Sequence, residues 1–249
     1  MIRASAFHFR QYQTATYYAN MQLAVGKVMP RLLGDLSDVL DRDPITVPVP
    51  DEAPIEIPVI ILSNKDQSIR MQISRARADV YWHRKQANAD MDLNEFCDFA
   101  QRAINSYQEA TQVLPGRIAL VVHRAQPDEN PAKALAAHFC RPTLLLDEPG
   151  RKGPLNRPEK FELHAHKTFG LDRFAVNSWV RCKTGTIREG TEEHPAILVE
   201  QDLNTLAERL TDTEFSMMDI RDFHRLAIRE LEVILRIYFP EAQELETKV

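Results

Sequence analysis

Glycine is scarce in this chain, with eight residues in 249, and none falls into a GxGxxG or GxxxxGK[ST] spacing. Both of those loops need glycine so that the backbone can close on a phosphate, so neither a P-loop nor a dinucleotide fold is expected. Cysteine is scarcer still. Cys97, Cys140 and Cys182 are scattered and odd in number, which implies neither a disulfide framework nor a CxxC pair. HExxH, EF-hand and GxSxG patterns are absent, as is any Cys-His nucleophile signature. No apolar run approaches the roughly 20 residues that span a bilayer. The first twenty residues lack the apolar stretch of a signal peptide. These absences predict a soluble cytoplasmic protein in a reducing compartment, with no membrane partner and no cofactor, leaning away from catalysis.

Positive charge is also in deficit. Lys and Arg number 31 against 36 Asp and Glu, giving a net charge of −5 and a pI near 5.9. That balance argues against a general nucleic-acid binder but leaves room for a local basic site. The hydrophobic fraction of 44% is enough for a full core.

What is present begins with alternation. Phe161, Leu163, Ala165 and Phe169 alternate with Glu162, His164, His166 and Thr168, and Phe174 to Lys183 alternates in the same way. A period of two marks strands with one buried face. Ala196 to Glu200 predicts a third strand, and Gly185 to His194 predicts a polar connection before it. A helix follows from about Ser216, an N-cap, to Phe239, stopped by Pro240. Its stripe is Ile220, Phe223, Ala227, Leu231, Ile234 and Tyr238. A second apolar set, Leu226, Ile228, Val233, Leu235 and Ile237, widens that stripe beyond what one small sheet needs and hints at association.

Earlier in the chain, Ala6 to Arg10 predicts a short strand. Met21 to Asp41 predicts a helix interrupted at Pro30. The segment 44–58, rich in proline and acid, predicts an extended linker. Val59 to Leu62, Ile69 to Ile73 and Ala78 to Trp82 predict three strands. Leu93 to Val113 predicts a helix capped by Asp92 or Asn94. From Arg117 the same order returns: a strand at 118–122, a short helix from Pro131 to Phe139, three strands and the long helix. The expectation is therefore an α+β fold of two β-α-β-β-β-α pseudo-repeats, residues 1–116 and 117–249, forming antiparallel sheet covered by helices on one side.

Four stretches carry a family resemblance: IILSNKDQSIRMQISRARADVYW, the helix ending before RIALVVHR, the TIREG loop before PAILVEQDL, and the closing amphipathic helix. Together they resemble a sporadically distributed, functionally uncharacterised family of bacterial α+β proteins, over residues 6 to 239. The Pro-rich linker here is longer than in that family. The resemblance implies no activity and no catalytic residues. The family's patchy distribution implies an association with mobile or defence-related gene clusters, without a mechanism.

Candidate site residues come from the alternating strands. Asn177, Trp179, Arg181 and Lys183 share one strand face, where Trp beside cations suits a contact surface; Arg173 lies nearby in sequence. The stretch 151–188 is locally basic, which suits nucleic acid or a nucleotide, against an alternative in which Trp179 packs on a neighbour and the cations face water. His164 and His166, two apart on a strand, form half of a metal site that lacks a third ligand, and a solvated sheet face explains them as well. The leading expectation is a non-catalytic binding or assembly protein, an oligomer or accessory subunit with a protein partner. The alternatives are nucleic-acid or nucleotide recognition through 151–188, and metal-dependent hydrolysis around His164 and His166.

Overall fold

The computed structural model describes residues 2–19, 23–85, 91–140 and 159–241. Among them, nine strands form one sheet. In chain order these are β1 (His8–Tyr17), β2 (Ile45–Thr46), β3 (Ile60–Ser63), β4 (Ile69–Ile73), β5 (Arg77–His83), β6 (Arg117–Pro127), β7 (Glu162–Leu171), β8 (Phe174–Glu189) and β9 (Glu192–Thr205). Four helices accompany them: α1 (Val25–Leu36), α2 (Leu93–Thr111), α3 (Pro131–Phe139) and α4 (Met217–Tyr238). The content is α+β and every strand pair is antiparallel.

The strand order is β2-β3-β4-β5-β1-β6-β9-β8-β7. Strands β1 and β6 are therefore the centre, although about a hundred residues separate them. Their register runs from His8–Ala125 to Tyr17–Arg117, with a shift between Phe9 and Gln11 that leaves Arg10 as an extra residue. That bulge re-aims the Arg10 side chain. The segment before residue 116 and the segment after it thus share a single sheet.

Local chemistry explains the helices. Asp92 caps α2 by accepting from the Asn94 N–H at 2.8 Å. Ser216 and Asp219 cap α4 reciprocally, Ser216 N–H donating to Asp219 Oδ2 at 2.8 Å and Asp219 N–H to Ser216 Oγ at 3.3 Å. Helix α1 runs through Pro30 without ending there. Helix α4 buries Ile220, Phe223, Ala227, Leu231, Ile234 and Leu235, leaves Leu226 and Ile228 half-buried against the same core, and exposes Val233 and Ile237. Most of its surplus apolar surface is thus consumed inside the chain.

All four helices belong to the face that receives Tyr12, Thr14, Val80, Trp82, Leu120, Val122, Val180, Cys182, Val199 and Leu203, and these residues join helical side chains in one hydrophobic core. Helix α2 lies against β1 and β5, α4 against β6, β9 and α2, α1 against α2, and α3 against β8 and β9. Tyr12 stacks on Trp82 at 4.7 Å and meets Phe96 of α2 at 5.4 Å. Phe174 meets Phe223 of α4 at 5.6 Å. The seam between α2 and α4 holds a polar cluster. His224 Nε2 lies 2.8 Å from Thr14 Oγ1, and His224 Nδ1 lies 3.3 Å from Gln101 Nε2. Thr14 donates its one hydroxyl proton to the Ala119 carbonyl at 3.0 Å. The Thr14 oxygen must therefore accept from His224 Nε2–H, and the bare Nδ1 accepts from the Gln101 amide.

The structure departs from the sequence expectation at the two longest hairpin strands. Residues 185–194 are not a loose connection. Strands β8 and β9 run through them, closed by Gly190 and Thr191 between the paired Glu189 and Glu192. Gly190 has φ +65°, as the first central position of a type II′ hairpin turn requires. Strand β1 extends well past the expected Arg10, to Tyr17. The 44–58 segment contributes only the two-residue strand β2 and otherwise behaves as the expected connection.

Candidate functional site: the open face of the sheet

The side of the sheet opposite the helices carries no described element across most of its width. Its residues follow from the register. Arg70, Tyr81 and Gln13 line up with Val121, Asp202, Trp179 and His166. One row further, Asp79, Ala15 and Ala119 line up with Asn204, Asn177 and Thr168. On the other side, His83, Gln11 and His123 line up with Glu200, Arg181 and His164. Small residues occupy the centre, where Ala15 and Ala119 are buried beneath longer neighbours.

The aromatic residues on this face are each held by a cation. Trp179 stacks on His166 with centroids 4.1 Å apart and 15° between planes, while the Arg181 guanidinium sits 5.1 Å from its ring. Tyr17 lies between Arg117 at 4.5 Å and Arg77 at 5.7 Å. Tyr81 stacks on His83 at 5.9 Å under Arg70 at 5.5 Å. The charges are largely paired: Arg77 with Asp79 at 2.7 Å, Arg181 with Glu200, and Arg117 donating to the Asn204 side chain at 2.8 Å.

Burial displaces several titrations. Burial pushes the Asp79 carboxyl up despite the Arg77 guanidinium beside it, and it raises Asp202 in the same way. Burial, then Arg70, Lys85 and His123, drives His83 down to about 4. Burial lowers His123 as well, outweighing the carboxylate of Glu200. The tyrosine hydroxyl of Tyr81 is pushed up to about 12 by burial and the nearby Asp79. Each of these groups already has a neighbour that accounts for it.

Asn177, Trp179, Arg181 and Lys183 do come together on this face, as alternate residues of one strand. Arg173 stands apart. It occupies the β7–β8 turn and pairs with Asp219 and Asp222 of α4 at 2.7 and 2.9 Å, because the turn carries it past the end of the strand. Arg151, Lys152 and Arg157 of the basic stretch lie outside the described residues. His164 and His166 point the same way from the edge strand β7, but His164 pairs with Glu162 at 3.2 Å and His166 donates to Asn177 at 3.1 Å. Neither Cys182 nor His224 can complete a site with them, because both lie on the helix side, and His194 pairs with Glu192 at 3.5 Å. Among the described residues, no three His, Cys, Asp or Glu side chains gather as a metal requires.

Sequence reasoning missed the contributors from other strands. Arg10 and Gln11 of β1 and His123 of β6 join Arg181, Lys183 and Arg188 of β8 around a cavity of about 330 Å³ at one end of this face. The only signal for them was the alternation in β6; their neighbourhood depends on strand order. A search of protein-family models and of characterised proteins finds no match to this chain. Among the described residues, no helix is long and apolar enough to cross a membrane.

Proposed function

We propose that the chain is a non-catalytic binding and assembly protein that associates with a second copy of itself through the open face of its sheet, around Trp179. The observation that carries this reading is the composition of that face. Trp179, Tyr17 and Tyr81 are half-buried, each clamped by an arginine, and both signs of charge are interspersed. Trp, Tyr and Arg are the residues that dominate protein–protein contacts. A face bearing both signs suits its own copy better than a polyanion, which would need uncompensated cations.

Size supports the reading. Eight strand spacings of about 4.8 Å make the sheet about 38 Å wide, and three rows of side chains cover about 20 Å along the strands. The product, about 800 Å² per copy, matches a standard stable interface.

We also infer that residues 1–116 and 117–249 are two copies of one β-α-β-β-β-α unit. Outward from the centre, one side reads β1, β5, β4, β3 with the two-residue β2 added at its edge, and the other β6, β9, β8, β7. In each, the first strand is innermost and the last three, β3 to β5 or β7 to β9, run inward in chain order. A resemblance to a bacterial family and a cytoplasmic location belong to the same reading.

Native mass spectrometry of the purified chain tests it. The expected species is a multiple of 28.6 kDa. It should dissociate in the Trp179→Ala/Arg181→Ala double variant and persist in Val233→Asp, on the exposed side of α4. A strict monomer, or an oligomer indifferent to the double variant, overturns the proposal.

A further inference from the structure

The cavity at the end of the open face exists because the β8–β9 hairpin curls over the sheet. Gly185 permits the bend. A Cβ at Gly185 would sit 2.4 Å from Leu198 Cδ1, so the Leu198 side chain fills the space a larger residue would need. Beyond the bend, Ile187 packs with Leu198, Ala125 and Ala196 in a small apolar cluster separate from the main core. The tip then reaches β1, three strands from β8 in the sheet order. There the bulged Arg10 donates to the Arg188 carbonyl at 3.1 Å and pairs with Glu189 at 3.4 Å.

The volume of this half-open cleft, about 330 Å³, falls at the small end of the range for small-molecule sites, about 300–1,000 Å³. Its walls are unlike the rest of the face. Arg10, Arg124, Arg181, Lys183 and Arg188 line it, and Glu200 is the one carboxylate among its lining residues. Glu200 is engaged by Arg181 and Glu189 by Arg10. Lys183 and Arg188 have no ion-pair partner among the described residues. His123 on the floor adds no charge, since burial holds its imidazole below its ordinary pKa. Five cations line the cavity and three are engaged by carboxylates, Arg10 by Glu189, Arg181 by Glu200 and Arg124 by Glu232, which leaves Lys183 and Arg188 as a surplus near two positive charges. Such a surplus repels itself unless an anion is present, and guanidinium forks fit phosphate oxygens bidentately. Ile187 and Leu198 offer an apolar wall, while Gln11 and Thr186 offer hydrogen-bonding groups, so the site suits more than a bare ion.

We propose that this cavity binds the phosphate monoester of a small organic molecule, the phosphate between Lys183, Arg188 and Arg10 and the organic body against Ile187 and Leu198. The site shares Gln11, His123, Glu200 and Arg181 with the face proposed for self-association, but the hairpin tip and not Trp179 builds it, so the single variant Trp179→Ala separates the two.

Isothermal titration of the full chain with AMP, ribose 5-phosphate, inorganic phosphate and adenosine tests this. Saturable binding of AMP or ribose 5-phosphate, with adenosine silent, is expected. AMP favoured over ribose 5-phosphate makes the ligand a nucleotide, and equal binding makes it a sugar phosphate; both support the site. Lys183→Ala and Arg188→Ala should each weaken binding about tenfold, the loss expected for one charge-assisted contact. Glu200→Gln should tighten it several-fold by releasing Arg181, an effect that a merely structural role would not produce. Trp179→Ala should leave it unchanged even where it dissociates the oligomer. Binding of inorganic phosphate alone with no gain from an organic body, equal binding of adenosine, or no saturable binding of any probe overturns the proposal.

Discussion

Acid should weaken this fold through His224, and the structure sets the size of the effect. The imidazole is fully buried in the seam between β1, α2 and α4 and is satisfied as the neutral Nε2–H tautomer by Thr14 and Gln101. Burial pushes its pKa from an ordinary 6.5 down to about 4. The unfolded chain therefore binds this proton more readily than the folded one. The stabilisation is complete above pH 6.5, and it is lost as pH falls through the window from 6.5 to 4. Applying the linkage relation to those two values gives a loss of about 2 kcal/mol at pH 5 and about 3 kcal/mol at pH 4 from this residue alone. Urea unfolding followed by tryptophan fluorescence at pH 7 and pH 5 measures it. His224→Leu should be less stable at pH 7 by roughly 1–3 kcal/mol, since Thr14 and Gln101 lose a partner. It should also lose about 2 kcal/mol less than the parent between pH 7 and pH 5. His83 displaces the parent curve in the same direction, so the comparison with the variant isolates His224. If parent and variant lose the same stability on acidification, the assignment of a neutral, buried His224 is wrong.

Gly116→Ala should be among the most damaging small substitutions in the chain, because its Cβ would lie 1.8 Å from the Leu210 carbonyl oxygen. Backbone must move to admit it, at roughly 1–3 kcal/mol or more, readable as a lower urea midpoint. Ser216→Ala removes half of the cap of α4 and should cost about 1 kcal/mol, with amide exchange accelerating first in residues 217–220. Leu231→Ala, at a fully packed position over the centre of the sheet, should cost about 2–5 kcal/mol in the same unfolding assay.

Much of this architecture was legible in the sequence where burial and periodicity coincide. Ser216 marked the start of α4 and the pair Asp92 or Asn94 that of α2, and the alternation from Phe174 to Lys183 placed Trp179 and Arg181 on one face. Strand β1 was cut short because its inner half reads Gln11-Tyr12-Gln13-Thr14-Ala15-Thr16, polar throughout except for Tyr12 and Ala15. Its burial is met by hydrogen bonds from Thr14 and Thr16, which leave no apolar signature. The curled hairpin was unreadable for a related reason. Between Gly185 and Pro195 its one large apolar residue is Ile187, and two glycines with several acids imitate a loop. The cavity was hidden more deeply still. Arg10, His123 and Arg188 are distant in sequence, and only the central pairing of β1 with β6, together with a one-residue bulge, brings them to one place.

That central pairing also sets an order of events during synthesis. Strand β1 acquires β5 as a neighbour once residue 83 has emerged, yet its other edge waits for residues 117–127. At about 5–20 residues per second, some seconds pass in which a central strand is presented as a naked edge. Such an edge is a template for the wrong partner, and this one carries neither the lysine nor the proline that usually guards against it. Its guard is its own composition: between Gln11 and Thr16, two glutamines, two threonines and Ala15 offer an intruding strand little apolar surface to bury beyond Tyr12. The same polar run that concealed β1 in the sequence thus protects the nascent half-sheet until its second half arrives.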